Sequence, residues 1–110
     1  VDNPSETLLH RFRFSNLKEA RKIAGLLLFK KLAACVQLVP GMESHYRWKG
    51  KKETAGEILV LIKTRMSLYK KVESAILKHH PYEVPEIICL PVSKGSKVYL
   101  DWMSSETSAK

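Results

Sequence analysis

Apolar residues along this chain switch between the spacing of a strand and the spacing of a helix. Residues 7–14 read as a first strand, with His10, Phe12 and Phe14 on one side and Leu9, Arg11 and Arg13 on the other. From Asn16 the spacing turns helical. Leu17, Ala20, Ala24, Leu27 and Leu28 form a stripe with Ile23 beside them, which predicts a helix to about Lys31. Asn16 followed by Glu19 has the form of a capping box, and Lys30 and Lys31 suit the negative end of the helix dipole. Residues 34–48 read as a long second strand, bent or bulged at Pro40-Gly41. Beyond the bend, His45, Arg47 and Lys49 alternate with Ser44, Tyr46 and Trp48. A turn near Lys49-Gly50-Lys51 leads into a third strand over 52–64. Its run Ile58-Leu59-Val60-Leu61-Ile62 lacks alternation, which predicts a central strand covered on both faces.

A second helix is expected from Ser67 to His79, burying Leu68, Val72, Ala75 and Ile76 and exposing Lys70, Lys71, Glu73 and Lys78. A fourth strand follows at Glu86–Val92. A short last helix covers Val98–Ser104, with Leu100 and either Trp102 or Met103 turned inward. The ends, 1–5 and 105–110, are expected to fray. The fold class is therefore α+β: a ferredoxin-like βαββαβ sandwich with a long second hairpin and a short C-terminal helix. Its strand order is 4-1-3-2, with both helices on one face. All 110 residues form one domain.

Composition narrows the classes. The chain is 45% hydrophobic, which suits a globular protein and argues against disorder, and no apolar run approaches the ~20 residues of a membrane span. Its formal charge is +8, spread along the whole length. That spread reads first as a solvated face and second as attraction to an acidic partner or anionic surface. No aromatic RNA-binding motif is present, so specific nucleic-acid recognition is not expected. The cytoplasm is the expected compartment. The first residue is Val1, so an upstream targeting segment stays open. Cys35 and Cys89 lie in apolar runs and read as small core residues. The strand order puts them on the two outer strands, three spacings of ~4.8 Å apart, beyond disulfide reach.

The hairpin is too long for the globule. Fifteen extended residues span roughly 50 Å, against a radius of gyration of ~13 Å for a chain of this size. The overhang exposes strand edges, Tyr46 and Trp48, and such edges invite pairing with other copies. A homo-oligomer is expected.

Polar chemistry concentrates in His79-His80-Pro81-Tyr82-Glu83-Val84-Pro85-Glu86-Ile87. Pro81 ends the preceding helix and Pro85 holds Val84 extended, so the segment is a stiff connector. It is either a ligand site or a well-made corner. His79 and His80 cannot share one helix face, and a histidine at a helix C-terminus is favoured by the dipole in any case. Glu86 either completes a His/Glu site or pairs with a lysine. Tyr82 reads as a packing residue. Tyr46, Trp48 and Trp102 either stack a ligand or fill an interface. Lys63 and Thr64 end the third strand at a place suited to cradling an anion, but no glycine-rich loop accompanies them. No nucleophile, base and orienting group can be assembled, so no enzyme is expected.

Several segments, taken in order, resemble the CutA divalent-cation-tolerance family: Lys31-Leu32-Ala33-Ala34-Cys35-Val36, Pro40-Gly41, Tyr46 with Trp48 and Gly50, Lys63-Thr64, His80 to Ile87, Leu90-Pro91-Val92 and Tyr99-Leu100-Asp101-Trp102. The resemblance implies a homotrimer whose long hairpins pair between chains. It implies a role in tolerance or response to divalent metals such as copper or zinc, with no reaction, and an architecture like PII signalling proteins. A protein partner is a further expectation. Under it the metal ligands are His79, His80 and Glu86, holding a divalent ion weakly; Tyr46, Trp48, Lys63, Tyr82 and Trp102 belong to interfaces or ligand clefts. Two departures stand out. Arg13-Phe14-Ser15-Asn16 replaces the usual Thr-Ala-Pro-like turn. Phe12 occupies the place of a cysteine that serves some bacterial members as a copper ligand. Without that thiolate, the donors are imidazole and carboxylate, which select copper less sharply.

Overall fold

The computed structural model describes residues 6–13, 17–79 and 86–107. The elements run β1 (Glu6–Arg13), α1 (Leu17–Phe29), β2 (Cys35–Trp48), β3 (Lys51–Thr64), a 3-10 turn (Met66–Leu68), α2 (Tyr69–His79), β4 (Ile87–Pro91) and α3 (Lys97–Ser105). The strands form one sheet in the order β2-β3-β1-β4, with every neighbouring pair antiparallel. Read from the other edge, this is the expected 4-1-3-2 order. It puts Cys35 and Cys89 on opposite edge strands, and neither forms a disulfide.

One face of the sheet carries the core. Ile58, Val60 and Ile62 of β3 are buried against Ala20, Ile23 and Leu27 of α1 and against Leu68, Val72 and Ile76 of the second helical segment. Val36 and Leu38 sit opposite Ile62 and Val60, so they pack on the same face. Each fully buried Leu or Ile contributes roughly 1.5–3 kcal/mol. The expectation that both faces of β3 are covered holds for one face within this chain. Leu59 and Leu61 point the other way and are only half-buried. Val39, Ile88 and Leu90 share that open face by register and are each more than 40% exposed.

α1 stops at Phe29, so Lys30 and Lys31 lie beyond its last turn instead of in it. The cause is a backbone reversal at Lys31, whose φ is 57°. The Lys31 N–H donates to the Leu28 carbonyl at 3.1 Å and the Leu32 N–H to the Leu27 carbonyl at 2.9 Å. That is a Schellman motif with lysine where glycine is usual, closed by buried Leu27 and Leu32. The capping box at Asn16, and Phe14 of the first strand, lie outside the described residues.

The hairpin follows the sequence closely. Val39 faces Leu59 and Met42 faces Glu57, so Pro40 and Gly41 together oppose Ile58 in a bulge, with Gly41 at φ 84°. At the tip, Lys49 and Gly50 have φ of 49° and 79°. Two consecutive left-handed residues make a type I′ turn, whose twist matches the strands it joins. β1 reaches only to Glu57. Among the described residues, Lys51–Gly56 therefore pair with Glu43–Trp48 alone. This overhang contributes to a longest dimension of 45 Å and a radius of gyration of 14.6 Å.

α3 is held from β3. Arg65 follows the last strand residue and donates Nε to the Thr107 hydroxyl at 2.8 Å, and Nη2 to the carbonyls of Thr107 and Ser104. Met103 fills the inward position on α3, while Trp102 stays 42% exposed. The chain stays anchored past the helix, since Thr107 is buried.

Candidate functional site

Two regions hold the candidate chemistry: the end of α2 with the start of β4, and the ribbon tip. His79 is the last residue of α2 and is exposed. It shares the final turn with Lys78, where the helix dipole favours a cation. Glu86 is half-buried immediately before β4. The two flank the segment containing His80 and Tyr82, which lie outside the described residues. No three His, Cys, Asp or Glu side chains converge among the described residues.

The ribbon tip is better defined. Strand alternation puts Glu43, His45 and Arg47 on one side of β2. The register sets Thr54 opposite His45 and Lys52 opposite Arg47. The Glu43 carboxylate lies 2.7 Å from His45 Nε2, and the Thr54 hydroxyl lies 3.3 Å from Nδ1. With the proton on Nε2, the neutral ring donates to Glu43 and accepts from Thr54, so both nitrogens are satisfied. Tyr46 and Trp48 take the alternate positions, and the Lys49 ammonium lies 5.7 Å from the Trp48 ring centre, a cation–π contact. His45, Tyr46, Arg47 and Lys52 line an open cleft of ≈ 260 Å³.

The remaining residues singled out by sequence fall elsewhere. Lys63 is half-buried opposite Cys35 on the open face of the sheet. Thr64 beside it is buried, and its hydroxyl donates to the Leu32 carbonyl at 2.6 Å. That bond fixes the α1–β2 connection and removes Thr64 from any anion cradle. Trp102 stacks at a tilt on Tyr99, with ring centres 5.7 Å apart. Ser96 caps α3 by accepting from the Tyr99 N–H at 3.3 Å. Lys97 and Asp101 pair at 2.6 Å, and the hydrogen bond and charge of Asp101 raise the lysine's pKa. On α2 the Tyr69 hydroxyl donates to Glu73 at 2.7 Å. That bond, with burial, pushes the phenol up to about 12.

Sequence reasoning missed the Glu43–His45–Thr54 cluster and the Arg65 anchor. The first had a signal. A two-residue turn at Lys49-Gly50 fixes the register, and counting back from it puts Thr54 beside His45.

Comparison with known proteins settles the family. Residues 9–106 match the family model described as CutA1 divalent ion tolerance protein. The chain belongs to the CutA1 divalent-ion-tolerance family. It is 44% identical over 92 residues to the Arabidopsis thaliana protein named Protein CutA, chloroplastic, covering 84% of this chain and 50% of that one. It is 44% identical over 88 residues to the divalent-cation tolerance protein CutA of Thermus thermophilus, covering 80% and 85%. The crystal structure of CutA1 from Oryza sativa superposes with a TM-score of 0.91 at 38% identity, covering 99% of this chain and 98% of that one. The chain spans half the length of the Arabidopsis relative it matches. CutA1 is named for tolerance of divalent ions and not for a reaction. No described helix of this CutA1 chain is long and apolar enough to cross a membrane.

Proposed function

We propose that this CutA1 chain is the ferredoxin-like subunit of a homotrimer that binds a divalent metal weakly, in tolerance of or response to copper or zinc. The family match over residues 9–106 carries the metal role. The two-stranded overhang and the half-covered sheet face support the assembly, in which ribbons of neighbouring copies complete one another. His79, His80 and Glu86 are the ligands in this reading. Imidazole and carboxylate suit Zn(II), Cu(II) or Ni(II), and with Phe12 in place of a thiolate, Cu(I) is disfavoured. The cytoplasm is the working compartment, and no catalysis or specific nucleic-acid binding is assigned.

Calorimetric titration of the chain with Cu(II) and Zn(II) tests the site. The His79→Ala/His80→Ala variant should lose most of the affinity, and Glu86→Gln part of it. Undiminished binding by the double variant contradicts the ligand assignment.

One observation favours a second reading, a PII-like or protein-partner scaffold without metal chemistry. α3 presents Val98 at 82% exposure beside exposed Tyr99 and Trp102. Capture of a protein partner that Trp102→Ala abolishes, with no heat from either metal, supports this reading over the first.

A further inference from the structure

Arg47 and Lys52 stand directly opposite each other on the ribbon. Like charges in that position repel. The Lys49-Gly50 turn joins the two strands. Lys49 and Lys51 add to the field, and residues 45–52 carry no carboxylate. The nearby Glu43 carboxylate is engaged by His45 at 2.7 Å. Arg47 and Lys52 line an open cleft together with His45 and Tyr46.

A carboxylate and a histidine two apart on one strand have the spacing of a metal chelate. Two positive side chains beside them oppose a cation and favour an anion. We propose that Arg47 and Lys52 form a binding site for a phosphate group in this cleft. Arginine offers a planar fork that matches two phosphate oxygens, and lysine offers a point charge from the facing strand. A bound phosphate converts one cross-strand repulsion into two charge-assisted contacts. The site is independent of the metal ligands; under the assembly reading it requires that the Arg47–Lys52 side of the ribbon stay open.

The full chain is titrated with inorganic pyrophosphate at low salt, against sodium chloride at matched ionic strength. Amide NMR shifts of residues 45–52 and the thermal midpoint are followed. Saturable shifts confined to the tip, and a midpoint that rises with pyrophosphate, are expected. The Arg47→Gln/Lys52→Gln variant should bind roughly tenfold more weakly or worse, while Lys70→Gln/Lys71→Gln on α2 keeps the wild-type affinity. The tip variant loses a repulsion, so its own midpoint should equal or exceed that of the wild type, which separates lost binding from lost folding. Equal weakening in both variants, or shifts spread over every lysine-bearing surface, overturns the proposal. Vesicles rich in phosphatidylglycerol identify the source. Sedimentation of wild type but not of the tip variant supports a lipid headgroup. Sedimentation of neither, with pyrophosphate binding intact, supports a free phosphate. Equal sedimentation of both overturns the assignment to the tip.

Discussion

The inner half of β3 and its outer half belong to the same strand but are held by different forces. From Ile58 to Thr64 the strand has a neighbour on each side and two helices over one face, and its alternate residues are buried. From Lys51 to Gly56 its described partner is β2 alone, and most of its side chains are exposed. A lone two-stranded ribbon is marginal in water. The inner half is stable because this chain buries it. The outer half relies on turn geometry, a bulge and cross-strand pairs, and on whatever packs against it.

Substitutions should therefore separate the two halves. The largest loss is expected in the body. Leu27→Ala opens a cavity between α1 and β3, and urea unfolding should show a loss of about 2–5 kcal/mol. Ribbon amides should exchange with solvent no faster until the whole chain unfolds. Gly50→Ala is the ribbon counterpart. Its φ of 79° suits glycine, and a side chain there costs about 1–2 kcal/mol. The loss should appear as faster amide exchange in residues 43–56 and a weaker assembly, with the helices unchanged. A uniform loss across helices and ribbon would remove the distinction.

Smaller effects sharpen the description of the body. Tyr69 is bonded to Glu73 and stays protonated in the folded chain to about pH 12, above the usual 10 for the unfolded chain. Its contribution to stability is full below pH 10 and is lost as pH rises from 10 toward 12. Tyr69→Phe should flatten that part of the stability–pH curve relative to wild type. Lys31→Gly should be the mildest change, a gain of at most about 1 kcal/mol, because glycine adopts the left-handed position without strain. A loss in thermal unfolding would mean that the lysine stem contributes more than the backbone costs.

Much of this contrast is legible in the sequence. Helical spacing from Leu17 and from Leu68, the bulge at Pro40-Gly41 and the turn at Lys49-Gly50 fixed the order of elements and the length of the ribbon. The end of α1 was less legible, because a lysine replaces the glycine that usually signals the reversal. The uncovered face of β3 was hidden because a run of Ile, Leu and Val reads alike whether the second cover comes from the same chain or from another. Arg65 gave no signal, since its partners, the Ser104 carbonyl and the Thr107 hydroxyl and carbonyl, lie 39 and 42 residues further along. At the site, His79 and Glu86 could be named from residue type, but His80 and Tyr82 fall outside the described segments. The Glu43–His45–Thr54 arrangement needed register as well as residue type.

The account turns on whether the outer ribbon is completed by other copies. Light scattering on the purified chain measures this directly. A single species of about three times the 12.6 kDa chain mass is the expected result. A monodisperse species of one chain mass, with ribbon amides as protected as those of the helices, would contradict it.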